Sequence, residues 1–340
     1  MRDIRDRLRS GTTPTVTVLP DGSVDRRSEI VGVDGDQLSR ETVGAEIASD
    51  GKTFLTEWHG VEQTGQSPNA ARQLHELGAE TTLIGHLDHS IFDSIPFRTY
   101  SMGDPAEIHV YELADGVMMF AAESTDIETW TFDRVETALG PNLESAFGAD
   151  AVLWMNWAAF PHGTAALERT SELLGSETTL VIDPGAVSTR STGDAVDLLD
   201  GLRNADPAGD TVLSPSRRES NALLDALGID VSNRSEIATE LREYTDIAAV
   251  AVHDKPAATV ATEQSVVEVP TVEDVEPNRH AGAGDRFNGG VTYALASGWS
   301  WAETLTLGNA CATHYITHDR CGDRADLLAL LERYADDDRV

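Results

Sequence analysis

Apolar positions along the chain alternate between two rhythms. Short continuous apolar runs predict strands, and stretches with an apolar residue every third or fourth position predict helices. Residues 15–19 (TVTVL) predict a first strand, and 80–85 (ETTLIG) another. Between them Pro68 opens a helix with Leu74 and Leu77 on one face. From 151 the alternation is regular. Strands are predicted at 151–155, 178–182, 211–213 and 246–252, and helices near 163–174, 194–203, 217–227 and 235–243. Residues 257–262 and 265–269 predict a hairpin, and the chain then turns helical over 283–297, 301–317 and 323–334. Such an order predicts an α/β fold, a mostly parallel sheet covered on both faces, in one domain over 1–340. Two regions break the rhythm. Residues 28–60 hold short β-like pieces between Gly and Asp turns, and 106–113 and 117–123 form β-like runs split by Ala114-Asp115-Gly116. A small β lid over the site is expected from 28–60, with 106–123 as its further candidate.

The charge balance narrows the setting. The net charge is −33, and of 25 basic residues only Lys52 and Lys255 are lysines. Hydrated carboxylates with almost no lysine suit molar salt, where the Debye length is about 3 Å and like charges are screened. Nucleic acid and anionic membrane both need a basic face and are not expected as partners. The two cysteines, Cys311 and Cys321, lack metal-ligand spacing. The start, MRDIRDRLRS, does not read as a secretory signal, and no run is long enough to span a membrane. A reduced, cytoplasmic protein is the expectation. The histidines show no H-E-x-x-H pattern, and zinc is not expected.

The strongest chemical signal is His280-Ala281-Gly282-Ala283-Gly284-Asp285-Arg286-Phe287-Asn288-Gly289-Gly290, running into a helix. Small residues let backbone approach a ligand, and free N–H groups at a helix start hold an anion. A carboxylate in the same turn suits phosphoryl transfer: Gly282, Ala283, Gly284 and Asp285 hold developing charge, and Asp285 takes the proton of the attacking hydroxyl.

This segment resembles the C-terminal signature of the ribokinase family of carbohydrate kinases, D-T-x-G-A-G-D-x-F-x-x-G. Residues 282–285, Phe287 and Gly290 match, and Arg279 stands where the leading Asp would be. Thr64-Gly65-Gln66-Ser67-Pro68-Asn69-Ala70-Ala71, followed by Leu77-Gly78, is similar to the family's glycine-rich sugar-pocket turn, with Thr64 for the first Gly. After the first strand, Leu19-Pro20-Asp21-Gly22-Ser23-Val24-Asp25-Arg26 falls where the family keeps a sugar-binding Asp. Asp25 is the candidate and Asp21 the alternative. Ser214-Pro215-Ser216-Arg217-Arg218-Glu219 resembles the N-x-x-E element near the metal-bound phosphates, Ser216 replacing Asn.

The resemblance implies a ribokinase-like three-layer α/β/α fold, with ATP and Mg2+ as cofactors. It implies sugar contacts from Asp25, Gly65 and Asn69 and a metal role for Glu219. Asp183, at the carboxyl edge of its strand, and Asn309, in the helical tail, are further nucleotide-side candidates alongside Ser216. Family members often pair lid strands between protomers, which leaves a homodimer open. After Gly85 the chain departs from the family, running His86-Leu87-Asp88-His89-Ser90 in place of G-x-D-x-x-G.

Arg26 and Arg98 stand near the expected pocket, and guanidinium groups grip phosphate bidentately. The acceptor expected on that ground is a pentose phosphate such as ribose 1-phosphate. A free sugar (ribose, 2-keto-3-deoxygluconate), a nucleoside, and a non-catalytic sugar- or nucleotide-binding regulator remain open.

Overall fold

The computed structural model describes residues 2–204, 210–271 and 281–335. Thirteen strands form two sheets among these residues. They are β1 (Thr15–Leu19), β2 (Ser23–Val31), β3 (Leu55–Thr64), β4 (Glu80–Gly85), β5 (Arg98–Ser101), β6 (Ala106–Leu113) and β7 (Gly116–Ala122). They continue with β8 (Ala151–Trp154), β9 (Thr179–Ile182), β10 (Thr211–Leu213), β11 (Ala249–Val252), β12 (Ala257–Thr262) and β13 (Val266–Pro270).

The large sheet has nine strands in the order β13-β12-β11-β10-β9-β8-β1-β4-β5. It is parallel except for β12 and β13. Strands β8 to β11 are buried except at Thr179, which opens β9, as their mainly apolar runs require of strands covered on both faces. One core packs between the sheet and the helices Gln66–Glu76, Ala283–Ala296, Trp301–His318 and Arg324–Ala335. The other packs beneath helices that include Gly163–Leu173, Thr192–Asn204 and Arg234–Thr245. The result is a three-layer α/β/α domain. All its parallel strands send their carboxyl ends toward one edge, the side where open α/β sheets bind ligands.

The small sheet has the order β3-β2-β6-β7, with β2 and β6 parallel and the other pairs antiparallel. Residues 28–60 are not all β-like, because Arg40–Ala48 is a helix. Only its Val43 is buried, so it has no apolar stripe to betray it, but Ser39 caps it by accepting from the Thr42 N–H. The charged start is also helical over Arg2–Ser10, holding Ile4 and Leu8 in the core. Where the chain departs from the family pattern after Gly85, a single 3-10 turn leads to the short edge strand β5.

Candidate active site

The helix Ala283–Ala296 begins at Gly282, which sits in the left-handed region at φ +88°. A Cβ there would fall 2.6 Å from Arg286 Nη1 and 3.3 Å from the Tyr315 ring, so both backbone and space demand glycine. The first-turn N–H groups have no intrahelical acceptor. Arg286 braces the turn: its Nη1 donates to the Gly282 carbonyl at 3.1 Å, and its guanidinium lies 3.8 Å from the Tyr315 ring centroid.

Asp285 lies in that first turn and is 8% exposed. Asn69 Nδ2, from the helix Gln66–Glu76, donates to its Oδ2 at 2.8 Å, and Arg286 Nη1 lies 3.6 Å from the same oxygen. Burial pushes the Asp285 carboxyl up to about 7 against the pull of Arg286 and Asn69, and Asp21 and Glu219 add to the rise. A base must be ionised to accept a proton. Catalytic kcat/KM is therefore expected to fall roughly tenfold per pH unit below about 7, since that ratio reports the free enzyme. Asn69→Ala removes a bond to the ionised form and moves this limb to higher pH. Glu123, just past β7 and open to solvent on one side, is also pushed up to about 7 by burial, then by Asp21. Glu123→Gln is thus the control: a limb that vanishes there and stays in Asn69→Ala assigns it to Glu123.

Asp21 and Asp25 have separate surroundings. Asp21 follows β1 and caps the helix Gln66–Glu76, accepting from Ser67 N at 2.6 Å and Gln66 N at 2.9 Å. It also accepts from Asn156 Nδ2 at 3.1 Å. Gly65 precedes that helix at φ +107°, and a Cβ there would fall 2.8 Å from the Gly22 α-carbon. Asp25 lies on β2 and accepts from Ser23 Oγ at 2.9 Å and from the Thr64 hydroxyl. The alternative, Asp21, has the closer electrical tie to Asp285 and Asp183, whose carboxyls it pushes up.

Asp183 follows β9 directly and is held by two donors, Asn288 Nδ2 at 2.5 Å and Gly185 N at 2.8 Å. Asn288 in turn accepts from Ser214 Oγ at 2.6 Å, tying the helix Ala283–Ala296 to the sheet edge. Ser216 and Glu219 form a capping box on the helix Arg217–Leu227, with Ser216 N donating to Glu219 Oε2 at 2.7 Å. Burial, then Glu219, pushes the Asp183 carboxyl well up, and burial does the same to Glu219. Two desolvated carboxylates, one of them raised further by the other, are a donor set a hard cation would relieve. Asn309 donates to the Val269 and Pro270 carbonyls, each at 3.2 Å, and so anchors β13.

The two phosphate candidates do not meet at this edge. Arg26 is ion-paired with Glu107 on the neighbouring strand β6 of the small sheet. Arg98 pairs with Thr82 early in β5 and lines a small cavity with Thr15 and Glu80, at the amino ends of the strands. Arg279 and His280 lie outside the described residues. The zinc expectation passed over one spacing, His314 and His318 four apart on the helix Trp301–His318. Their rings stack at 4.3 Å, but neighbouring Asp326 is gripped by Arg320 at 2.6 and 2.9 Å.

With this geometry in place, the prokaryotic ketohexokinase family model matches residues 36–334. The chain belongs to that family. A ketohexokinase of Haloferax volcanii is 24% identical, with 93% of this chain and 90% of that one aligned. A probable sugar kinase from Rhizobium etli superposes with TM-score 0.70 at 17% identity, covering 95% of this chain and 99% of that one. Arabidopsis thaliana ribokinase, solved with ribose and ATP, superposes with TM-score 0.65 at 17% identity, covering 94% and 99%. The fold is ribokinase-like and the protein is a carbohydrate kinase. The salt-adapted composition fits the haloarchaeal relative.

Three residues of this kinase's site escape sequence reasoning. Asn156, in the left-handed region at φ 56° after β8, reaches Asp21. Asn288 lies inside the recognised signature at a position the pattern leaves free. His253, after β11, packs 4.9 Å from the Phe287 ring centroid and beneath Gly284. Burial holds it down to about 4, so it is a neutral wall.

Proposed function

We propose that this kinase transfers the γ-phosphoryl group of ATP to a hydroxyl of a free ketohexose. The observation that carries the reading is Asp285. It is a buried carboxylate raised to about 7, hydrogen-bonded to Asn69 and set in the first turn of a helix opened by Gly282. A base poised near working pH beside unpaired N–H groups suits proton removal from an alcohol during attack on a phosphate.

In this reading the acceptor hydroxyl donates to Asp285 Oδ1 or Oδ2 and its oxygen attacks the γ-phosphorus in line. Charge growing on the phosphoryl oxygens meets the N–H groups of 282–285. Asp21, Asn69 and Asn156 offer acceptors and amide donors of the kind that orient several sugar hydroxyls. Asp25 stays as the site's second acidic candidate, behind Ser23 and Thr64. Asp183 and Glu219 would hold Mg2+, Glu219 through water because Ser216 already occupies one of its oxygens. That ion would supply positive charge against the donor phosphates. The small sheet would act as the lid, excluding water during transfer.

Support for an unphosphorylated acceptor comes from charge. Arg26 is committed to Glu107, and Arg98 faces the opposite end of the sheet, so neither guanidinium serves a pentose phosphate. The ketohexokinase relative supports a ketose. The test is ADP production in molar KCl with ATP and Mg2+. The acceptors are fructose and other ketohexoses, ribose, 2-keto-3-deoxygluconate, nucleosides and ribose 1-phosphate. A ketohexose is expected to exceed the rest in kcat/KM by about 10- to 100-fold, roughly the loss when one buried polar group of the site, at about 1–3 kcal/mol, is left unpaired. A preferred sugar phosphate or nucleoside overturns the reading, and silence on every acceptor favours a binding regulator.

A further inference from the structure

A second feature of the molecule runs along the helix Gln66–Glu76, starting beside Asn69 and Thr64 of the site described above. One turn beyond Asn69, Arg72 points into an open cleft of about 670 Å3 that Arg286, Tyr315, Phe97 and Arg320 also line. Arg72 Nε is sealed from solvent without a hydrogen-bond partner, and so is Arg286 Nε. Among the described residues, Arg72 has no carboxylate within 4 Å. In a chain with 58 acidic and 25 basic residues, a half-buried arginine left unpaired runs against composition.

Most other charges of the cleft are already committed. Glu62 pairs with Arg27 at 2.5 Å, Arg320 with Asp326, and Asp319 has a partner of its own. Glu76 lies at the exposed end of its helix. Two guanidinium groups line the open volume alongside these carboxylates: Arg72, and Arg286, held 3.8 Å from the Tyr315 ring centroid and by its bond to the Gly282 carbonyl. Burial works against the charge of Arg72 and the charge of Arg286 adds to that, while Cys321, Glu62 and Glu76 act in its favour. Both opposing effects are relieved when an oxyanion arrives, and forked guanidinium donors match phosphate best.

We propose that this cleft is a phosphate-binding site, gripped by Arg72 and Arg286, for a small phosphate-bearing molecule other than the phosphoryl donor. The site abuts Asp285 through Arg286 and through Asn69 on the helix that carries Arg72. Its occupant thus sits against both groups that hold the base.

The test needs no turnover, so its failure is separate from failure of the kinase reading. The full chain, with a non-hydrolysable ATP analogue filling the donor site, is titrated in molar KCl with inorganic phosphate and, in parallel, with fructose 1-phosphate. Phosphorus NMR line broadening reads binding. Saturable broadening is expected, weakened about tenfold or more by Arg72→Gln, as for loss of a charge-assisted hydrogen bond. The tighter of the two probes names the source of the phosphate. Arg72→Lys keeps the charge without the fork and is expected to weaken binding less. It also serves if circular dichroism finds Arg72→Gln unfolded. No saturable broadening with either probe, or equal affinity in wild type and the Arg72 variants, overturns the proposal.

Discussion

Asp285→Asn is expected to lower kcat by about 10²–10⁴, the usual contribution of a positioned general base. ATP affinity should stay within about threefold, because the backbone N–H groups that face the phosphates remain. The change is nearly isosteric, and the amide that replaces the carboxylate no longer calls for the charge of Arg286 at 3.6 Å. What it removes is the only group in the first turn able to accept a proton. The residual rate should also lose the acid limb near 7, since the group that titrates there is gone. Coupled ADP release gives kcat, and quenching of a fluorescent ATP analogue gives affinity. A variant that keeps wild-type kcat would falsify the assignment of the base. One that loses ATP binding in step with kcat would mean that the turn itself had collapsed.

Most of the architecture is legible because the chain marks it with composition. Strands β8 to β11 are short, mainly apolar runs, and the helices between them carry stripes. The catalytic turn is legible for a local reason as well. Gly282, Ala283, Gly284 and Asp285 are contiguous, so one stretch of sequence contains both the proposed anion site and the proposed base. What stays hidden depends on partners far along the chain. Asp21 and Asp25 look alike in sequence. What separates them is that Asp21 receives donors from Gln66, Ser67 and Asn156, up to 135 positions away, while Asp25 turns to Ser23 and Thr64. The helix Arg40–Ala48 is hidden for the opposite reason, since with only Val43 buried its sequence has almost no pattern to show. Arg26 and Arg98 mislead because proximity in sequence to a site residue says nothing of which way a strand aims its side chain. Arg26 looks across to Glu107, and Arg98 lies three pairs before the carboxyl end of β4.

The second large effect is expected from salt. At neutral pH the chain carries 58 carboxylates against 25 cationic side chains. Two like charges 10 Å apart in water repel by about 0.4 kcal/mol before screening. At 0.1 M salt the Debye length is about 10 Å and much of that repulsion survives, whereas at 1 M it is about 3 Å and little does. Dozens of such pairs amount to several kcal/mol, comparable with the roughly 5–15 kcal/mol that holds a typical domain folded. The arginines limit the repulsion where they bridge. Arg27 spans Glu62 and Glu112, and Arg169 spans Glu136 and Glu172. Lysine, a point charge, bridges less well than the guanidinium fork, which accounts for its near absence. The thermal midpoint is therefore expected to rise by more than about 10 °C between 0.1 and 2 M KCl, taking about 2–4 °C per kcal/mol for larger domains. Because the cause is screening, NaCl should act as KCl does, and calorimetry in the two salts reads it directly. A midpoint indifferent to salt would show that the negative surface is already compensated by pairs of this kind. A rise with one cation alone would point to a specific ion site instead of the net charge.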